Sequence, residues 1–258
     1  MRRWSVPLGR VLGVRLSLHA SWFVVLGLVT WATVAAFDAA YPSLGPVSHV
    51  LMGLITGVAF FACLTAHELA HSVVARRFGI RVRGITLFVF GGVAEIEGEV
   101  PSPDREFAVA LIGPATSVAL GGMFALASTG ATALGWPAGE GVLATLALVN
   151  LGVAIFNLVP GLPLDGGRLL RATLWRLTDD RRRATRVASG GGRVVAVLLA
   201  ILGLVIVLTG DLFGLWYVPM AVFLWLLARS SGRAAPPEPP GGALALSRHE
   251  GEAAQSRS

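Results

Sequence analysis

Six stretches of this sequence stay apolar for close to the length a membrane demands, and nothing else constrains its fold as much. A helix needs roughly 20 apolar residues to cross a hydrocarbon layer about 30 Å thick. The segments at about 19–37, 47–75, 106–129, 142–164, 193–209 and 213–228 meet or approach that length. The fifth and sixth are short, and a helical hairpin buried in protein is their alternative. Composition agrees: of 258 residues, 54% are hydrophobic and 14% charged, where soluble domains carry about a quarter charged. A single water-soluble domain of this size cannot hide so much apolar surface. That excludes a soluble enzyme, a disordered chain and a disulfide scaffold. The one cysteine, Cys63, has no internal disulfide partner.

A net charge of +6 would ordinarily point to nucleic acid, but all 21 basic residues are arginine and they fall in clusters. Arg2, Arg3, Arg10 and Arg15 precede the first span. Arg76, Arg77, Arg81, Arg83 and Arg105 lie between the second and third. Arg168, Arg171, Arg176, Arg181, Arg182, Arg183, Arg186 and Arg193 lie between the fourth and fifth, and Arg229, Arg233, Arg248 and Arg257 follow the sixth. The alternate connections hold only Asp38, Glu140 and Asp211. The positive-inside rule therefore predicts a plasma-membrane protein with both termini in the cytoplasm. The partner of this charge is the lipid bilayer, with no nucleic acid involved. The N-terminal MRRWSVPLGRVLGVRLSLH does not read as a signal peptide, because Arg10 and Arg15 interrupt its apolar run.

Two segments are not spans. Ile85–Glu99, ITLFVFGGVAEIEGE, reads as two strands with Gly91-Gly92 in a tight turn, a β-hairpin at the inner membrane face. Residues 230–258 are rich in Ser, Gly, Pro, Ala and charge, and read as a disordered cytoplasmic tail. The expected fold class is thus an all-α polytopic membrane protein of about six transmembrane helices with a small membrane-associated β-hairpin. It divides into a cytoplasmic segment 1–18, a core 19–229 and the tail.

The second span ends FFACLTAHELAHSVVARRFG. His67 and His71, four apart, share one helix face, with Glu68 beside them. In H-E-x-x-H two neutral imidazoles bind zinc and the glutamate acts as general base toward its water. Helix-packing histidines are the bland alternative. Ionisable groups inside a span are costly and usually functional, which favours the metal. From His67 to Arg76 is nine residues, about 13 Å of helix, so the site lies within the apolar layer toward the cytoplasmic side.

A catalytic zinc needs a third protein ligand and an open position. The candidates are Glu95, Glu97, Glu99 and Asp165. The glutamates alternate on one strand face, as on a solvated hairpin edge. Asp165 interrupts LVNLGVAIFNLVPGLPLDGGRLLRA, between Pro160, Pro163 and Gly166-Gly167, where the helix must break. Such a break is tolerated at membrane depth only where protein surrounds it or it lines a wet cavity. The alternative for Asp165 is a helix cap. Cys63, one turn before His67, reads as a packing residue.

HELAH at 67–71 together with NLVPGLPLDG from Asn157 to Gly166 resembles the site-2 proteases, the intramembrane zinc metalloproteases. The similarity covers roughly residues 5–228, including Gly113-Pro114 in the third span. It implies one zinc ion held by His67, His71 and Asp165, with Glu68 as general base. It also places Asn157 near the scissile carbonyl as a substrate clamp or oxyanion donor. An interhelical hydrogen bond is the other reading of Asn157. The PDZ-like and CBS modules of some relatives are not expected here. The implied reaction is peptide-bond hydrolysis in or near transmembrane segments, with the hairpin edge holding the unwound substrate. The implied partner is a single-span membrane protein, cut after a first cleavage, such as an anti-sigma factor. The rivals are a membrane transporter or a non-catalytic scaffold using the His/Glu/Asp cluster for metal or protons.

Overall fold

The computed structural model describes residues 5–88, 91–97 and 100–233. Two strands, β1 (Ser5–Val11) and β2 (Val14–His19), lead into helices α1 (Ser21–Ala40) and α2 (Pro46–Arg77). Strands β3 (Arg81–Phe88) and β4 (Gly91–Glu97) follow, then helices α3 (Pro103–Ala133), α4 (Pro137–Asn157), α5 (Asp165–Thr178) and α6 (Arg181–Leu208). A 3₁₀ turn at Leu212–Trp216 opens into the last helix, α7 (Tyr217–Arg233).

Six helical segments are long and apolar enough to cross a membrane: α1 to α4, α6, and the turn joined to α7. Sequence signals set their starts. Prolines occupy the first turns of α2, α3 and α4, where a missing N–H costs nothing. Ser102 and Asp180 cap α3 and α6 by accepting from the Arg105 and Arg183 amides. The fifth span is longer than its apolar run implies, because α6 begins at Arg181. Its arginine-bearing first turns extend the apolar helix rather than preceding it. Gly53 and Gly57 face α1: a Cβ at Gly53 would stand 3.0 Å from the Thr30 carbonyl, and one at Gly57 2.9 Å from a Leu26 methyl. This is the close helix contact that G-x-x-x-G permits.

The hairpin of the sequence reading is half of a four-stranded sheet in the order β1-β2-β3-β4. The outer pairs are antiparallel and β2 runs parallel to β3, with α1 and α2 as the crossover. Alternate residues Val14, Leu16 and Leu18 meet Ile85 and Leu87 in a buried layer that packs on Leu69 of α2. The sheet thus lies against the helix that carries HELAH. Gly91-Gly92 do not form the turn: they pair with Phe88 and Leu87 within β4. The reason for glycine there is proximity, since a Cβ at Gly92 would stand 2.5 Å from Cγ of Glu68. The second departure is α5, an amphipathic helix that does not cross. Glu99 and residues 234–258 of the expected tail lie outside the described residues, while 230–233 complete α7.

Between α4 and α5 the chain runs through residues 158–164 without regular helix. Glycines from two helices surround it. A Cβ at Gly166 would collide with the Leu158 carbonyl, one at Gly167 with the Gly161 backbone, and one at Gly192 of α6 with the Leu162 carbonyl. The Leu162 amide donates to the Ala188 carbonyl of α6 at 3.0 Å, so a neighbouring helix supplies a backbone partner to this stretch.

Two glycines of α6 should therefore respond oppositely to the same change. Gly192→Ala is expected to destabilise by about 1–3 kcal/mol through overpacking. Gly190→Ala, whose Cβ would meet only an Arg193 guanidinium nitrogen at 4.0 Å, should be neutral or stabilising by up to about 1 kcal/mol. Thermal unfolding in detergent measures both.

Candidate metal centre

His67 and His71 sit one turn apart on α2, and Asp165 is the first residue of α5, 94 positions beyond His71. The fold brings the three together. Oδ2 of Asp165 lies 3.2 Å from Nε2 of His67 and 3.1 Å from Nε2 of His71, and the two Nε2 atoms are 3.2 Å apart. All three residues are buried, and one ligand atom from each lies within 4.8 Å of the others. Asp165 does not cap α5: its side chain turns to the histidines, and Leu164 holds the cap position without a side-chain bond.

The far nitrogens are fixed by α3. Nδ1–H of His71 donates to the Val109 carbonyl at 2.6 Å, and a carbonyl can only accept. When His71 is neutral, this bond leaves Nε2 as a lone pair facing the cluster. Nδ1 of His67 pairs with the Ser117 hydroxyl at 2.8 Å. Outer hydrogen bonds of this kind orient imidazole ligands on metals. Gly113 of α3 completes the cradle: a Cβ there would stand 2.6 Å from Nε2 of His67 and would collide with Nε2 of His71. The other oxygen of Asp165, Oδ1, faces Arg168 at 3.7 Å. Burial opposes the charge on Asp165, which lies outside the six spans. The hydrogen bonds from His67 and His71, and the charges of His71 and Arg168, nevertheless hold its carboxyl below the usual range.

Two nitrogens and a carboxylate oxygen, with both rings oriented, the His71 tautomer set by a carbonyl and space kept by a glycine, suit a borderline divalent ion such as zinc. Glu68 stands half-buried next to the cluster, near enough for its charge to interact with those of His71, His67 and Asp165. Its Cγ abuts Gly92 of the edge strand β4. Asn157, the last residue of α4, is half-buried, and its amide donates to the Val153 carbonyl of its own helix at 3.0 Å. The thiol of Cys63 is buried against Asn150, outside the three-residue cluster.

Several supporting residues were not singled out by their own sequence. Ser117 and the Val109 carbonyl reach the histidines from 50 and 38 positions away. The available signal was Gly113-Pro114-Ala115-Thr116-Ser117, a run of small residues inside a span. Glu106 and Arg171 were also unforeseen as a pair. Arg171 donates from Nε at 2.7 Å and from Nη2 to Oε1 of Glu106, whose side chain is fully buried.

The profile of peptidase family M50 matches residues 55–136 and 119–202, which include both motifs. A Mycobacterium tuberculosis protein named "Putative zinc metalloprotease Rip3" is 42% identical over 229 residues, 88% of this chain and 58% of its own length. The Synechocystis "Putative zinc metalloprotease sll0528" is 39% identical over 234 residues, 89% of this chain and 60% of its own. This chain thus spans less than two thirds of either relative. Among solved structures, the site-2 protease from Methanocaldococcus jannaschii superposes with a TM-score of 0.58 at 23% identity. The match covers 92% of this chain and 99% of that one. It shows that the two share a fold.

The cradle makes a sharp prediction. Gly113→Ala should abolish stoichiometric metal binding, read as metal content by mass spectrometry. Gly122→Ala on the same helix, where a Cβ meets nothing within 4 Å, should leave it intact.

Proposed function

The chain belongs to peptidase family M50, and on that premise we propose that it is an intramembrane zinc metalloendopeptidase. Its substrates are membrane proteins cut in or near their transmembrane segments. The observation that carries this reading is the convergence of His67, His71 and Asp165, all buried, beside Glu68 and a strand edge. A metal-transporting or scaffolding role calls for neither a general base at this position nor an edge strand against it.

His67, His71 and Asp165 would hold the zinc, which would supply Lewis-acid polarisation of the scissile carbonyl and of the attacking water. Glu68 takes a proton from that water and returns it to the leaving amine. Val109 and Ser117 hold the imidazoles in the orientation this needs. Asn157 has two amide hydrogens and spends one on Val153; the other is available to the substrate carbonyl. A substrate helix hides its peptide bonds in i→i−4 hydrogen bonds and must unwind before attack. The outer edge of β4, passing Glu68 at Gly92, offers backbone partners to the unwound segment.

The distribution of arginines supports a plasma-membrane core running over about 19–229 with both termini in the cytoplasm. In that setting the substrate is a single-span protein, such as an anti-sigma factor, already shortened by a first cleavage. A reporter active only outside the cytoplasm should be silent when fused after Ser258 and active when inserted near Glu140. The opposite pattern would overturn the topology.

Two variants test the chemistry together. Glu68→Gln should lower cleavage by about 10²–10⁴-fold while keeping its zinc, so that a short membrane stub accumulates in cells. A proline at an outward-facing amide of β4 should impair cleavage with zinc also retained. Normal turnover by Glu68→Gln protein would refute the assignment of the base.

A further inference from the structure

Glu106 and Arg171 belong to neither motif, yet they join the two helices that complete the metal centre. On α3, positions 106, 110, 113 and 117 recur at helical spacing on one buried face. That face carries Gly113 and Ser117 against the histidines, with the Val109 carbonyl beside them. Glu106 is its first member, three residues before Val109, or about 4.5 Å along the axis. On α5, Arg171 lies six residues after Asp165, about 9 Å along that axis. The Arg171–Glu106 pair therefore ties the helix that presents the carboxylate to the helix that orients both imidazoles. Asp104 and Arg176 make a second link at 2.5 Å, but both are well exposed.

The pair is badly built for stability alone. Both Arg171 nitrogens converge on Oε1, and Oε2 of Glu106 is buried without a hydrogen-bond partner among the described residues. Apolar replacement of a buried ion pair is often neutral or stabilising, so burial by itself does not account for the pair. Position does. Asp165 is the first residue after an irregular stretch, and α5 is an amphipathic helix of 14 residues that does not cross the membrane. A small slide or roll of α5 would carry Oδ2 away from both Nε2 atoms. We propose that the Glu106–Arg171 ion pair is a positioning device that sets the register of α5 on α3 and thereby holds Asp165 in the metal centre.

This rests on the metal-centre reading above, and the test separates the two. Zinc affinity of the detergent-solubilised full chain is measured by competition with a chromophoric chelator. Cobalt-substituted protein gives a d–d absorption spectrum as an independent view of ligand geometry. The variants are Glu106→Gln, which keeps shape and removes charge, and Arg171→Lys, which keeps charge and loses the fork. Asp104→Asn is the exposed control. Positioning predicts that Glu106→Gln weakens zinc binding by about 10–100-fold, the range seen when outer partners of metal ligands are lost. It also predicts an altered cobalt spectrum, a smaller loss for Arg171→Lys, and wild-type behaviour for Asp104→Asn. Should Glu106→Gln not fold, Arg171→Lys decides by the same two readouts. Wild-type affinity and spectrum in the folded variants, with only a lowered unfolding temperature, would overturn the proposal. A wild-type chain that binds no zinc would overturn the metal reading itself.

Discussion

Inside a hydrocarbon layer every backbone polar group must find its partner within the protein, and the site here depends on how one interruption meets that demand. Residues 158–164 leave the helix between α4 and α5. They are tolerable because Gly166, Gly167 and Gly192 let neighbouring backbones approach without a Cβ between them, and because α6 accepts the Leu162 amide. The break has a purpose visible in its last step. It turns the chain so that Asp165, 94 residues after His71, faces both imidazoles.

The remaining elements divide the work around that point. Helix α2 brings two imidazoles of the candidate metal centre and the adjacent glutamate from five consecutive residues. Helix α3 orients those imidazoles and keeps space beside them, through a carbonyl, a hydroxyl and a missing side chain. The sheet packs on α2 through Leu69 and brings an edge strand to Glu68. Most arginines lie near span ends or in connections, away from this cluster. Arg168 stands beside Asp165 of the cluster, and Arg171 beside Glu106 of α3.

The parts legible from sequence were those with a local period or a strong compositional contrast. Six spans follow from apolar length, and the observed helices keep that number with shifted bounds: α4 starts earlier than expected and ends at Asn157, not at 164. His67 and His71 follow from a spacing of four, and Asp165 from prolines and glycines that forbid a continuous helix. The four-stranded sheet was half hidden, because Pro7, Gly9 and Arg10 disguise the alternation in β1. Gly92 resembles a turn residue until Glu68 is placed beside it. The Glu106–Arg171 pair spans 65 positions, and such a contact leaves no periodic trace. Sequence therefore singled out the residues that cluster, while the geometry that brings them together comes from packing between distant helices.

X-ray absorption at the zinc edge, on the purified full-length chain, tests the central claim most directly. The expected result is zinc at one per chain, with two imidazole nitrogens at about 2.0–2.1 Å and oxygen donors at about 2.0–2.2 Å. In Asp165→Ala protein the imidazole signal should persist while the metal is bound more weakly. A thiolate sulfur neighbour at about 2.3 Å, for which Cys63 is the one cysteine in the sequence, would contradict the ligand set, as would a spectrum lacking imidazole.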